Sequence, residues 1–317
     1  MFRLSILKVV LLALGLAACA PFSRDIPFAT LETRYANAAS QYLDLPDGVR
    51  VHYRVEGSDA APALLMVHGL GASLHTWEPW VSHLRGRYRI ITLDLPGHGL
   101  TRTPSNYRFS ATSNAQLVEH VRQRVGAPHI VVAGHSMGGA VAVRYALAHP
   151  ERVSALVLIN ATAWPQERRW SGAPFVFQLL ANPIGRAVLR NVNPELFAER
   201  GLRSAYYDSG LVDDELVDRY VELARAPGHR AVLTSGQNNR ADQPLQVSDF
   251  SRLAMPTLVV HGAEDTIISV QDSRSLAAAI PNAQLIVYPN VGHVPMEENV
   301  HDSVSELSAF LEAADLE

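Results

Sequence analysis

Gly134-His135-Ser136-Met137-Gly138 places a serine between glycines at the end of the apolar run His129–Ala133. A hydroxyl there is a candidate nucleophile, weak until a base takes its proton. Of the 13 histidines, His293 is best placed to be that base, because it follows the last apolar run on a Gly-containing loop. The imidazolium formed during attack needs a carboxylate to orient and stabilise it. Asp265, three residues past the run Pro256–Gly262, supplies one, with Glu264 the adjacent competitor; Asn160, after an earlier run, carries no charge. The oxyanion that develops needs donors already in place. These are expected to be the backbone N–H groups of Met137 and of Leu70, the latter in the strand-end stretch His68-Gly69-Leu70-Gly71. Such a set performs acyl transfer. His135 is expected to be pinned beside the nucleophile and to point elsewhere, and His52, His83, His129, His149, His229 and His301 to lie on surfaces.

These residues must be brought to one rim by the elements between them. Residues 41–45 and 49–55 alternate apolar and polar around the turn Pro46-Asp47-Gly48, which predicts a hairpin. Continuous apolar runs follow at 63–69, 88–97, 129–136, 153–160, 256–262 and 283–290. Runs without alternation suit strands buried on both faces. Helical patterns at 113–125, 140–148, 269–279 and 299–311 lie between or after them. Strand then helix, repeated, predicts an α/β fold with a mostly parallel sheet flanked by helices, and ligands at the carboxyl ends of its strands. The glycines around Ser136 then let the strand and the following helix approach closely while the serine is lifted into the open. The rhythm breaks over residues 161–254, an insertion rich in Pro, Arg and aromatics and too long for a loop, read as a helical cap.

Net charge is −4 with a sequence pI of about 6.3, so no broad basic surface exists for nucleic acid. The only lysine is Lys8 and the only cysteine Cys19. Beyond them the chain has no amine for a Schiff base or phosphate loop, no thiol nucleophile and no internal disulfide. No metal-ligand spacing or organic cofactor motif is present, and the acyl-transfer chemistry needs neither.

Arg3 and Lys8 precede the uncharged run Val9–Ala18, too short to span a bilayer but of signal-peptide length. Leu16-Ala17-Ala18-Cys19 resembles a bacterial lipobox, which implies a signal peptide over 1–18 and a lipid on Cys19. Ala20 resembles the outer-membrane sorting pattern, so the expected location is the outer membrane, facing the periplasm. A plain secretory signal and a soluble periplasmic or secreted enzyme is the alternative. Residues 19–40 are then expected to be a polar tether, spanning roughly 25 Å if flexible.

Taken in order, His68-Gly69-Leu70-Gly71, Asp94-Leu95-Pro96-Gly97-His98-Gly99, Gly134-His135-Ser136-Met137-Gly138-Gly139, Gly262-Ala263-Glu264-Asp265 and Gly292-His293 resemble the α/β-hydrolase family over roughly residues 41–313. The resemblance implies a core of residues 41–160 and 255–317 interrupted by the cap. It implies the triad Ser136, Asp265 and His293 in that chain order. A serine nucleophile sets the chain apart from the haloalkane dehalogenases and epoxide hydrolases, which use aspartate, and His68–Gly71 lacks the proline that epoxide hydrolases tend to carry. The expected activity is hydrolysis of a small-molecule carboxylic ester through an acyl-enzyme, with a hydrophobic acyl or alcohol group. Three alternatives share the pattern: a carbon-carbon bond hydrolase, a cofactor-free haloperoxidase and a non-catalytic ligand-binding module.

Overall fold

The computed structural model describes residues 24–165, 178–180, 182–235 and 243–314. Its strands are β1 (Ser40–Asp44), β2 (Arg50–Glu56), β3 (Ala63–Val67), β4 (Arg89–Leu93), β5 (Ile130–His135), β6 (Val153–Ile159), β7 (Thr257–Gly262) and β8 (Ala283–Tyr288). They form one sheet in the order β1-β2-β4-β3-β5-β6-β7-β8. The hairpin β1–β2 and the β2–β4 pair are antiparallel and every other pair is parallel. The helices of the amino-terminal half are α1 (Phe28–Tyr35), α2 (Glu78–Leu84), α3 (Ala111–Arg124) and α4 (Met137–Ala148). Between β6 and β7 come α5 (Pro183–Asn191), α6 (Glu195–Ala205), α7 (Asp214–Ala224), α8 (His229–Ser235) and α9 (Val247–Phe250). The chain ends with α10 (Val270–Ala279), α11 (Pro295–Glu298) and α12 (Val300–Ala313).

The unbroken apolar runs have a two-sided cause. Alternate residues of each strand point to opposite faces. Leu65, Val67, Val132, Leu156, Leu158 and Val259 pack with α3, α4 and Leu276 of α10 on one face. Leu64, Met66, Val131, Ala133, Val157 and Leu258 pack with Trp80 and Leu84 of α2 and with Leu307, Phe310 and Leu311 of α12 on the other. β8 differs from the expectation of full burial: it closes one edge of the sheet, and Leu285 is 36% exposed.

Residues 24–40 are not a free tether. The segment Phe28-Ala-Thr-Leu-Glu-Thr-Arg-Tyr35 forms α1, and Leu31 is buried in a small cluster with Leu100, Leu223 and Ala226. Burying one leucine is worth about 1.5–3 kcal/mol, and polar contacts add to it. Ile26 N–H donates to Arg225 O at 2.8 Å, Arg102 bonds Glu32 at 2.6 Å, and Tyr35 OH donates to Glu222 at 2.7 Å. The short amphipathic spacing Phe28, Leu31, Tyr35 carries the helix, and its partners are on remote segments that local composition does not reveal. Two histidines expected on surfaces, His52 and His229, are fully buried, each with both ring nitrogens bonded.

The leader, Cys19 and the aromatics Trp170, Phe175 and Phe177 lie outside the described residues. No described helix is long and apolar enough to cross a membrane.

Candidate active site

Ser136 joins the carboxyl end of β5 to α4 with φ +52° and ψ −118°. Left-handed φ at a residue with a side chain is strained and persists only where the surroundings impose it. The glycines around it are there for space: a Cβ on Gly134 would lie 2.3 Å from Gly138 O, and one on Gly138 would lie 2.2 Å from Val67 O. The turn is clamped by Ser136 N–H donating to Ile159 O at 2.9 Å and by Ser136 O accepting from Gly139 and Thr162 N–H, each at 3.0 Å.

His293 and Asp265 arrive from the loops after β8 and β7. His293 Nδ1 bonds Asp265 Oδ2 at 2.7 Å. That same oxygen accepts from Asn160 Nδ2 at 2.6 Å, while Oδ1 accepts from Ile267 and Ile268 N–H at 2.7 and 3.0 Å. Burial alone would raise the Asp265 carboxyl, but His293, Asn160 and His261 outweigh it and hold the group down at about 2. It is therefore a carboxylate throughout the neutral range. Asn160, excluded as an acid because it has no charge, instead anchors the acid. Glu264 has no part in this network among the described contacts.

Ser136 and His293 open on one cavity of about 220 Å³. No hydrogen bond links them at rest, a common state of unliganded sites that tightens when substrate binds. Leu70 lines the same cavity, and Met137 opens α4, where the first N–H groups lack intrahelical partners. Among the described residues neither the Leu70 nor the Met137 N–H donates to another group.

His135 does more than stand beside Ser136. Its ring lies 4.7 Å from that of His293, and Nε2–H donates to His293 O at 2.8 Å. Burial, reinforced by the neighbouring His293, holds it well below the ordinary histidine range, so it is neutral. The Asp94–Gly99 motif supports the other side of the site. Asp94 accepts from Leu74 N–H and Leu100 N–H, each at 2.8 Å, and His68 Nδ1–H donates to Gly69 O at 2.7 Å while Nε2 accepts from Leu95 N–H at 3.0 Å. A neutral His68 thereby fixes the loop that carries Leu70.

One supporting residue has no local sequence signal. Glu298 accepts from Gly292 N–H at 2.7 Å, from Tyr207 N–H at 2.7 Å and from Asp208 N–H at 3.1 Å. His293 N–H donates to Ala205 O at 2.6 Å, and Thr266 Oγ1–H donates to Ser204 O at 2.7 Å. The end of α6 is therefore bonded to both loops that carry His293 and Asp265.

The cavity walls come from the insertion. Leu189 of α5, Phe197 and Leu202 of α6, Tyr220 of α7 and Leu233 of α8 face it, with Leu180, Ile267 and Val294. Among its described lining residues the only Lys, Arg, Asp or Glu is Arg230, paired with Asp25 at 2.7 Å. Trp164 does not join them; it stacks on Phe250 at 5.6 Å. Among the described residues no group of three or more His, Cys, Asp or Glu side chains could hold a metal ion.

The sequence matches the family model of the alpha/beta hydrolase fold over residues 62–300. It is 32% identical over 284 residues to a 2-hydroxymuconate semialdehyde hydrolase of Pseudomonas putida, covering 86% of this chain and 94% of that one. It is 27% identical over 277 residues to lipase 3 of Moraxella sp., covering 84% and 83%. The solved structure of a membrane phospholipase A, described as a bacterial virulence factor, aligns with a TM-score of 0.74 at 24% identity over 99% of this chain and 98% of that one. That last likeness is one of fold. With a nucleophile elbow at Ser136, a histidine–carboxylate pair on the last two strand loops and a matching profile over most of its length, the chain belongs to the α/β-hydrolase family and is a hydrolase of that fold.

Proposed function

We propose that the protein is a serine hydrolase that cleaves carboxylic esters with a hydrophobic acyl or alcohol group. The observation that carries this reading is the strained Ser136 opening, with the Asp265-bonded His293, into a cavity whose described walls are mostly apolar. In the proposed cycle His293 Nε2 takes the Ser136 proton as Oγ attacks the acyl carbon. The Leu70 and Met137 N–H groups receive the oxyanion, and each such donor is worth about a hundred- to a thousandfold in rate. The imidazolium, supported by Asp265, passes its proton to the departing alcohol. Water, activated by the same imidazole, then attacks the acyl-enzyme and releases the acid. The decisive assay is hydrolysis of nitrophenyl esters from acetate to palmitate. Turnover rising with chain length supports the reading, and inertness to the whole series rejects it.

A carbon-carbon bond hydrolase is the second reading. It is supported by the relatives called 2-hydroxymuconate semialdehyde hydrolase, at 32% and 29% identity. Release of a carboxylate from a vinylogous diketone, with nitrophenyl esters untouched, would select it. The lipid-bearing Cys19 and an outer-membrane location are part of the same proposal. Cys19→Ser is expected to move the protein from the membrane fraction to the soluble one.

A further inference from the structure

The first described residues are held by the cap. Arg225, just past α7, donates from Nε and Nη2 to Arg24 O at 3.2 and 3.1 Å. Asp25 pairs with Arg230 at 2.7 Å, and the Phe28 ring meets that of His229 edge-on at 5.7 Å. Arg24 is the fifth residue after Cys19, so a fully extended chain between them spans at most about 18 Å. A lipid on Cys19 would thus keep this corner of the cap within that distance of the bilayer surface. α8, which begins at His229, is about 10 Å long. At its far end Thr234 accepts from Arg190 of α5 at 3.2 Å.

Among the described residues, α5 presents an exposed face. Gly185 and Leu189 point inward, while Pro183, Ile184, Ala187 and Arg190 are exposed, and Ile184 is 64% exposed. Leu196, at the start of α6, is 65% exposed. Ile184 and Ala187 beside Arg190 match an interfacial helix, with the Arg190 guanidinium, bonded through Nε to Thr234, near the level of anionic headgroups. Leu189 and Phe197, close by in sequence, line the cavity.

We infer that the outer face of α5, together with Leu196, rests on the lipid surface to which Cys19 is attached and admits membrane-resident esters to the cavity. This inference rests on the proposed lipid at Cys19 and on the proposed ester hydrolysis. The occupant is the bilayer itself, because a lipid on Cys19 would lie within about 18 Å of the cap corner that α8 joins to α5, and the exposed face combines apolar groups with Arg190.

The test uses the full-length protein in vesicles of phosphatidylethanolamine and phosphatidylglycerol containing brominated phospholipid. Bimane is attached in turn to Ile184→Cys, Leu196→Cys and, as a control at the opposite end of the strands, His129→Cys. Quenching at 184 and 196 but not at 129 is expected; equal quenching at all three sites, or none at 184 and 196, overturns the inference. Mass analysis of the amino-terminal peptide separates the causes. An unacylated Cys19 removes the anchor and the docking while ester hydrolysis stands, whereas an acylated Cys19 with an unquenched α5 removes the docking alone. The pair Ile184→Asp and Leu196→Asp should lower hydrolysis of a long-chain ester embedded in vesicles by about tenfold or more, from the lost insertion of two large apolar side chains. The soluble butyrate ester should be hydrolysed at the unchanged rate, which also reports that the variant is folded; equal loss on both esters overturns the inference.

Discussion

Ser40, His52 and Asp94 repeat the residue types of the proposed active site, and they are better bonded although Ser40 lines no part of its cavity. Ser40 Oγ lies 2.9 Å from His52 Nε2, and His52 Nδ1 lies 2.7 Å from Asp94 Oδ2. In the proposed active site the histidine–aspartate distance is also 2.7 Å, yet the serine bond is open. The difference lies in what surrounds each serine. Ser40 opens an ordinary strand, accepts from Asn37 N–H at 3.1 Å and lines no part of the cavity. Ser136 occupies a strained turn beside two undonated N–H groups. A triad is therefore not a set of residue types at bonding distance; it is a nucleophile held out of its comfortable geometry, with space for an acyl group and donors for its charge. At the other site the same three side chains tie the first hairpin to the Asp94–Gly99 loop.

The largest expected effect breaks the comparison cleanly. Ser136→Ala should lower turnover by about 10⁵- to 10⁶-fold with the thermal midpoint retained, whereas Ser40→Ala should keep turnover and lose about 1 kcal/mol of stability. A fluorophosphonate should label Ser136 alone; labelling at Ser40 in the Ser136→Ala protein would falsify the division of roles. The aspartates should separate the same way. Asp265→Asn should reduce kcat by about 10⁴-fold and Glu264→Gln should not, and a reversed pair of rates would move the acid by one position. Asp94→Asn should act on chemical denaturation, by about 2 kcal/mol, as a buried carboxylate loses its donors.

A smaller effect sharpens the contrast between support and chemistry. Glu298→Ala should lower kcat by about tenfold with KM little changed, the loss expected when one charge-assisted bond positioning His293 is removed; Glu298→Gln should restore most of it. Steady-state kinetics on a soluble ester provide the check, and a fall in stability with kcat intact would make Glu298 a mere brace. Smallest is a pH effect. The Asp265 pKa is depressed in the folded state, so its stabilisation is complete above the ordinary carboxylate value near 4 and is lost as pH falls towards about 2. Asp265→Asn should flatten the loss of stability over that window by about 2 kcal/mol, measured by denaturant titration at each pH.

Much of this was legible in the chain because it is local. The continuous apolar runs mark six of the strands and the alternating hairpin the other two, and the Gly-Ser-Gly spacing reports a turn whose neighbours would collide with any Cβ. Asp265 and His293 stand where strand ends place them. What stayed hidden is long-range and directional. Nothing around Asn160 announces that its amide will reach a carboxylate 105 positions away. Glu298 looks like any charged residue at a helix start until its three backbone donors, one from the His293 loop and two from a segment some ninety positions away, are seen together. Residues 24–40 have the polarity of a linker because α1 needs only Leu31 and its aromatic neighbours to dock. His52 and His229 read as surface groups since a histidine's burial depends on bonds to both ring nitrogens, and those partners are remote.

The clasp between the first described residues and the cap sets the limits of any modular treatment of this enzyme. A truncation beginning at the first strand would strip Asp25, Leu31 and Tyr35 from α7 and α8, which also line the cavity. Exchanging caps between relatives would meet the same difficulty. The transplanted unit has to include the short helix that precedes the sheet, or the specificity of the donor will not travel with its walls.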